Sequence, residues 1–240
     1  MRVVAHMVTR NEAGRYLKLV LDQLRLFGFD MVTVYDDRST DKTLEVALSA
    51  GAMVQVRSAG VPPFADDESA FRQAAWSWMM RFAQPDVVLS IDADELLMAK
   101  TTDLRACLRA AATEAQAKPW RLDKAELWSI GDDWVPRQRV DGLWKGISDV
   151  RLVPGGDTPF QVKRLAGGTV PDRWFDDGCP RTCGLLSIAH LGYLSGVDRE
   201  EKYARYRGRM GHNPRHVASI LTTPTLEPRP DLQPWPRKLR

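Results

Sequence analysis

Apolar and polar residues alternate in a regular order over the first hundred residues, with short apolar runs separated by longer amphipathic segments. The short runs have the length and the β-branched residues typical of strands, and they cover residues 3–8, 31–35, 53–56 and 86–91. The longer segments space apolar residues three and four apart, which predicts helices over residues 12–26, 43–50 and 67–82. Strands that alternate with helices in this way predict parallel βαβ units, and hence an α/β sheet with helices on both faces.

The second half of the chain has a different pattern. An Ala-rich segment predicts a helix over residues 101–118, and residues 120–190 contain short β-like pieces with five of the eight tryptophans. These tryptophans are interpreted mainly as core residues. A charged helix is predicted over residues 198–210, and residues 222–240 contain five prolines and are predicted to be extended or disordered. The pattern therefore predicts one α/β domain over residues 1–221, followed by a Pro-rich tail.

Composition narrows the class of protein. The chain of 240 residues is 44% apolar and 27% charged, as in ordinary globular proteins, and its net charge of +3 is too small to indicate nucleic-acid binding. Its apolar stretches are too short for a transmembrane helix, and its N-terminus lacks the pattern of a signal peptide, so a cytoplasmic location is expected. The three cysteines cannot form a disulfide framework and are interpreted as ordinary loop cysteines.

The most informative polar residues follow the fourth predicted strand, in the segment Asp92-Ala93-Asp94-Glu95. On an extended segment Asp92 and Asp94 would project to the same side, where their charges repel unless a cation lies between them. Hard oxygen ligands of this kind suit Mg²⁺ or Mn²⁺, which also bridge phosphates. The alternative is a solvated acidic turn or the start of a helix.

Two further polar segments follow the first and second predicted strands. The first is Thr9-Arg10-Asn11-Glu12, in which Glu12 is either a partner of the helix dipole or a ribose ligand. The second, residues 36–43, can cap the next helix, but capping does not require the acid pair Asp36 and Asp37 at the strand end. A carboxylate there can accept a hydrogen bond from a pyrimidine imide or a ribose hydroxyl. Because ligands bind beyond the carboxyl ends of parallel strands, these segments predict a binding site.

Together, these motifs resemble those of the family 2 glycosyltransferases, which have the GT-A fold: an Asn-Glu pair after strand one, D-D-x-S-T-D-x-T after strand two and D-x-D after strand four. The resemblance covers residues 3–97 and, more loosely, the segment His190-Leu191-Gly192-Tyr193 with the cations that follow it. It implies a GT-A-like mainly parallel sheet, with residues 1–97 binding a nucleotide sugar and residues 98–221 forming an acceptor and closing half. It also implies metal-dependent sugar transfer from a nucleoside-diphosphate donor, preferably a UDP-sugar, to a hydroxyl of a saccharide, lipid, protein or modified nucleobase.

The same resemblance implies roles for individual residues. The donor would be bound by Thr9, Asn11, Glu12, Asp37, Arg72, Asp92, Ala93 and Lys202. The metal ion, Mn²⁺ or Mg²⁺, would be held by Asp92, Asp94 and His190, with a buried core histidine as the alternative for His190. Residues 120–190 lack the Glu-Asp motif of a catalytic base. For an inverting reaction the general base is predicted to be a loop carboxylate within residues 172–177, preferably one of the acidic pair Asp176 and Asp177, which follows the region expected to bind the acceptor. The alternative is a solvated turn before Gly178.

Other classes of protein match these motifs less well. The chain lacks the G-x-G-x-x-G of a dinucleotide dehydrogenase and the G-K-[ST] of a P-loop enzyme. A sugar nucleotidyltransferase stays open as an alternative, although residues 10–15 match its Gly-rich basic loop poorly. So does a non-catalytic saccharide-binding module that uses the Trp-rich half. His6 lies within a predicted strand and is interpreted as a core residue.

Overall fold

The order of strands and helices in the computed structural model follows the hydrophobic pattern of the chain. The structure describes residues 1–156, 158–160, 169–176, 182–207 and 213–232. Within them the strands are β1 (Val3–Thr9), β2 (Met31–Asp36), β3 (Met53–Val56), β4 (Val87–Ser90), β5 (Glu95–Ala99), β6 (Trp120–Ile130), β7 (Pro136–Arg139), β8 (Ser148–Pro154), β9 (Thr182–His190) and β10 (Leu226–Pro228). The helices are α1 (Leu17–Phe27), α2 (Thr43–Ser49), α3 (Glu68–Ala83), α4 (Leu104–Ala115), α5 (Arg173–Asp176), α6 (Gly196–Tyr206) and α7 (Pro214–Ser219).

The strands form one mixed sheet whose N-terminal half is parallel. β1 pairs in parallel with β2 and β4, and β2 pairs in parallel with β3. Beyond β4 the pairing is antiparallel through β8, β6, β7 and β10, while β9 lies parallel to β6 and antiparallel to β5. The predicted α/β class and its parallel first half are therefore confirmed, and the sheet agrees with the GT-A-like arrangement that the motifs imply.

β1 shows how helices cover both faces of this sheet. Val3, Ala5 and Met7 lie in a core that α1 and α4 complete, whereas Val4 lies in a second core that α3 completes. Successive residues of a strand point to opposite faces, so this division follows directly from the alternation along β1. Among the described helices, the longest of which has 16 residues, none has the length and apolar character that crossing a bilayer requires.

Helix α1 begins at Leu17, five residues later than the sequence predicts. The backbone N–H of Glu12 donates to the Thr43 hydroxyl at 2.7 Å, and Asn11 has a left-handed backbone with φ of 56°. These contacts hold the first residues of the predicted helix in a loop. The helix ends where Gly28 adopts φ of 73°, a conformation that glycine accepts without steric cost.

The aromatic residues of the second half build a smaller core of their own. Trp128 stacks on Tyr193 with ring centroids 5.2 Å apart, and Trp144 packs edge-on against both rings. The buried guanidinium of Arg139 lies over the two tryptophans, 4.6 and 5.1 Å from their centroids. The interpretation of the tryptophans as mainly core residues holds here, with Trp134 the exposed exception in this half at 51%.

The described part of the predicted tail packs on the domain. Residues 226–228 form β10, which pairs with β7, and Leu232 is buried in the main core. The extended alternative is therefore correct for this segment. Residues 233–240 lie outside the described part of the chain.

Candidate active site

The loops that follow β1 and β2 are tied together at the carboxyl ends of the parallel strands. The N–H of Asn11 donates to the Ser39 hydroxyl at 2.9 Å, and the Asn11 side chain accepts from the N–H of Thr40 at 2.8 Å. Thr9 is buried, and its hydroxyl lies 3.4 Å from a carboxylate oxygen of Asp36. Thr9 and Asn11 are two of the residues predicted to bind the nucleotide-sugar donor. They therefore lie at the edge of the sheet where a ligand is expected.

The Asp-Ala-Asp segment after β4 forms a turn rather than the predicted extended segment. The N–H of Glu95 donates to the Asp92 carbonyl at 3.1 Å, and the N–H of Asp92 donates to the Glu95 carboxylate at 3.0 Å. Because the chain turns here, the two aspartates do not share partners: Asp92 faces Arg151 at 3.5 Å, whereas Asp94 faces His190. The expectation of an extended segment is wrong, and Ala93 between the two aspartates is buried in the core.

Asp94, His190 and Lys202 meet at the end of β9. The Asp94 carboxylate oxygen Oδ2 lies 3.3 Å from His190 Nε2, and Lys202 Nζ lies 3.2 Å from that oxygen and 3.0 Å from that nitrogen. The other ring nitrogen of His190 contacts Glu126. Strand register explains the convergence, since His190 pairs with Glu95 on one side and with Glu126 on the other.

In this cluster, neighbouring charges shift the pKa values of Asp94 and His190 in the direction opposite to the effect of burial. Burial favours the neutral acid, but Lys202 and His190 hold the pKa of Asp94 well below its usual value. Burial would lower the pKa of His190, but the Glu126 carboxylate raises it to about 9. Glu12, which lies within electrostatic reach of Asp94, has its pKa raised by burial to about 7.

A second buried ion cluster connects Asp92 with this site. Arg151 is 2% exposed and contacts Glu95 at 2.7 Å and Asp149 at 3.3 Å in addition to Asp92. Lys124 lies 3.8 Å from Glu95, 3.0 Å from Asp149 and 3.3 Å from Glu126, the partner of His190. The motif search missed Arg151, Lys124 and Glu126. Their signal in the sequence is charge within strands that are otherwise largely buried.

Asp37 is buried and already has partners on both carboxylate oxygens. One oxygen pairs with Arg57, and the other accepts from the N–H of Phe64 at 3.1 Å and lies 3.5 Å from Arg10. Asp37 therefore anchors the segment 57–64. Its predicted contact with a nucleoside stays a prediction.

Glu12 belongs to a set of contacts that joins the β1–α1 loop to helix α6. Its carboxylate pairs with Arg15 at 3.2 Å, and Arg15 also pairs with Asp198 at 2.9 Å. The Tyr16 hydroxyl donates to the same Asp198 carboxylate at 2.8 Å. We call Arg15, Tyr16 and Asp198 the α6 latch; the sequence motifs did not predict it.

Arg72 lies on α3 and borders a small cavity together with Asp92 and the buried His6. Its guanidinium pairs with Glu68 at 2.8 Å. The interpretation of His6 as a core residue holds, because its Nδ1 lies 3.0 Å from the Thr33 hydroxyl and its ring packs edge-on against Trp76. Burial lowers the pKa of His6 to about 3.

The predicted general bases lie at the limit of what the structure describes. Asp176 is the last residue of the short helix α5, and its side chain lies outside the description. Asp177 also lies outside the described residues. Their proposed role stays a prediction.

The predicted metal ligands come together only in part. Over the described residues, no group of three or more His, Cys, Asp and Glu side chains is arranged to hold a metal ion. Asp94 and His190 do converge, and Glu126 behind His190 is the kind of carboxylate that orients a ligating imidazole. A carboxylate oxygen and an imidazole nitrogen are ligand types that bind Mn²⁺, whereas Asp92 lies 3.5 Å from Arg151.

Comparison with known proteins gives relatives over part of the chain. No family model matches it. It is 39% identical over 112 residues to the uncharacterized proteins Rv3786c of Mycobacterium tuberculosis and Mb3815c of Mycobacterium bovis, an alignment that covers 45% of this chain and 26% of each relative. The chain thus spans about a quarter of the length of the curated relatives it matches.

Solved structures with a related arrangement include residues 1–349 of TarS from S. aureus, with a TM-score of 0.49 and 14% identity over 92% of this chain and 69% of that one. Another is glucosyl-3-phosphoglycerate synthase from Mycobacterium tuberculosis in complex with Mn²⁺ and UDP-glucose, with a TM-score of 0.38 and 18% identity over 52% of this chain and 43% of that one.

Proposed function

We propose that this chain carries a metal-dependent glycosyltransferase domain that moves a sugar from a nucleoside-diphosphate donor, a UDP-sugar, to a hydroxyl acceptor. The observation that supports this proposal most directly is the contact among Asp94, His190 and Lys202 beside the loops that follow β1 and β4. That is the edge of a parallel sheet where ligands bind. It is also where the sequence motifs of family 2 glycosyltransferases fall.

The residues divide the work of donor binding. Asp94 and His190 would hold Mn²⁺ or Mg²⁺, which when bound supplies Lewis-acid stabilisation of the departing diphosphate. Glu126 keeps the imidazole of His190 oriented through its contact with Nδ1. Arg72, which shares a cavity with Asp92, would attract the diphosphate.

The nucleoside would lie against the ends of β1 and β2. Thr9, Asn11, Glu12 and Asp37 are the proposed contacts there. Asp176 or Asp177 is the proposed base of an inverting reaction. A saccharide, lipid, protein or modified nucleobase is the proposed acceptor, and the cytoplasm is the proposed location.

The experiment is a screen of nucleotide sugars for Mn²⁺-dependent release of nucleoside diphosphate. We expect one donor to be hydrolysed slowly without acceptor, and Asp94→Ala to lose about 100-fold or more of that rate, as other preorganised charge-stabilising groups do when removed. The matched control is Asp22→Ala, which removes an exposed carboxylate paired with Lys18 on α1. It should keep the full rate.

Two results would contradict the proposal. One is a hydrolysis rate that Asp94→Ala leaves unchanged. The other is that no nucleoside diphosphate is released from any donor tested. A saccharide-binding module would give this result, because it would bind sugar without cleaving the donor. A nucleotidyltransferase would instead form the nucleotide sugar from a nucleoside triphosphate.

A further inference from the structure

Lys202 lies where the two converging metal ligands would contact an ion. Its ammonium is 3.2 Å from Asp94 Oδ2 and 3.0 Å from His190 Nε2, and the residue is 5% exposed. The ring of Tyr193 lies 4.4 Å from the same nitrogen. The ammonium thus has a carboxylate and an aromatic face beside it, both of which stabilise a buried cation.

The backbone around Lys202 is built to keep it there. Helix α6 begins at the Ser195 cap, whose hydroxyl accepts from the N–H of Asp198 at 3.0 Å. The α6 latch then ties Asp198 to Arg15 and Tyr16 on the opposite loop. At Gly192 a Cβ would come within 2.0 Å of Lys202 Nζ and 2.4 Å of Asp94 Oδ2, so only glycine lets the chain pass this close to the ion pair.

One atom of His190 makes this arrangement incompatible with a bound metal ion. An imidazole nitrogen has a single in-plane position for a proton, a hydrogen-bond donor or a metal ion. Lys202 contacts His190 at Nε2, and Nδ1 is already engaged by Glu126. A divalent ion held by Nε2 and Asp94 would also lie within a few ångströms of the ammonium, where like charges repel strongly.

We infer that Lys202 and the divalent ion are alternative occupants of one site, so that Lys202 sets the metal affinity of the protein. This inference rests on the proposed function only for the statement that Asp94 and His190 bind a metal ion. Metal binding then requires Lys202 to leave Asp94. The apparent metal affinity is the intrinsic affinity multiplied by the fraction of molecules in which Lys202 has left Asp94.

The test measures Mn²⁺ binding without any nucleotide, by the loss of the electron paramagnetic resonance signal of free Mn²⁺. Lys202→Met and Lys202→Gln should bind Mn²⁺ at least about ten-fold more tightly than the unmodified protein, which corresponds to a vacated state of about 10% or less. Lys202→Arg keeps the charge and should keep the weaker affinity. Lys18→Met, which removes an exposed lysine of α1, should change nothing.

The outcomes separate this inference from the proposed function. Equal or weaker Mn²⁺ binding by folded Lys202→Met and Lys202→Gln overturns the inference, as does the absence of Mn²⁺ binding in all the proteins. Thermal unfolding identifies a variant that has lost its fold, in which case the other neutral variant decides. If Mn²⁺ binding tightens as expected but no nucleotide sugar is hydrolysed, the shared site is supported and the glycosyltransferase proposal fails.

Discussion

At the scale of single residues, Asp37 has a structural role and a proposed binding role that a matched pair of variants can separate. Its buried carboxylate anchors the segment 57–64 through Arg57 and the N–H of Phe64, and the proposed function also gives it a nucleoside contact. Asp37→Asn and Arg57→Gln both break the same ion pair. Each should cost roughly 3 kcal/mol of unfolding free energy, because each removes the nearest opposite charge from a group with little exposure to solvent.

The two variants should differ in donor binding. Asp37→Asn also replaces the charged acceptor proposed for the nucleoside by a weaker neutral one, so we expect it to raise the donor KM several-fold more than Arg57→Gln does, with a smaller effect on kcat. Steady-state kinetics and thermal unfolding of both variants check this. An equal rise in KM would make Asp37 a purely structural residue.

The sequence predicts that Asp94 lies in the site beside His190, but it does not predict the pairing of Asp92 with Arg151. Asp94 and His190 meet as the motifs imply, since the end of a buried strand fixes where each side chain lies. Asp92 is directed to Arg151, which is contributed by β8 about sixty residues later. No local spacing encodes that pairing, because it depends on which antiparallel strand joins β4.

At the scale of elements, the α6 latch shows why helix boundaries and long-range contacts are hard to predict. The pattern predicts the helix after β1 from residue 12, but the side chains of Asp41 and of Thr43, the first residue of α2, accept from the N–H groups of Glu12 and Ala13. The freed loop then carries Arg15 and Tyr16 to Asp198. These contacts join residues about 30 and more than 180 positions apart, beyond the reach of any periodicity.

Breaking the latch should loosen helix α6. We expect Asp198→Asn to speed amide hydrogen exchange in α6 at least about ten-fold, because a hydrogen bond to a charged group contributes about 1.5 kcal/mol or more. Tyr16→Phe removes one latch bond without touching α6 and should give a smaller increase in the same amides. Glu200→Gln, a change of charge on the same helix, is the control. If exchange in α6 is the same in Tyr16→Phe and the unmodified protein, the latch does not hold the helix.

At the scale of the whole molecule, the candidate site unites the two halves of the chain. Asp92, Asp94 and Glu95 come from the first half, and their charged partners Arg151, Lys124 and Lys202 come from the second. The first half could be predicted from the hydrophobic pattern, because strand and helix patterns that alternate along the chain are typical of parallel βαβ units. The second half is held by pairings between strands distant in sequence, such as β9 with β5 and with β6, and by buried ion pairs. Neither leaves a periodic trace in the sequence.

His6 gives the folded molecule a sensitivity to acid that can be traced to one side chain. It is buried between β2 and α3, beside the Thr33 hydroxyl and the Trp76 ring, with the positive charge of Arg72 nearby. Burial lowers its pKa in the folded protein to about 3 from the ordinary 6.5. Between these values the unfolded chain binds a proton that the folded protein does not, so stability is lost as the pH falls below 6.5.

Replacing the histidine should remove this loss. From pH 6.5 to pH 5 the unmodified protein should lose about 2 kcal/mol of unfolding free energy through His6, at about 1.4 kcal/mol per pH unit. His6→Gln should unfold at lower urea concentration at pH 7 but show a shallower dependence on pH. Thr33→Val weakens the same region while keeping the imidazole, so it should retain the steep dependence. Urea unfolding of the three proteins at pH 7, 6 and 5 measures how steeply the unfolding free energy of each depends on pH. An equally steep decline in His6→Gln would mean that other groups cause the acid sensitivity, because that variant has no imidazole at position 6 to take up the proton.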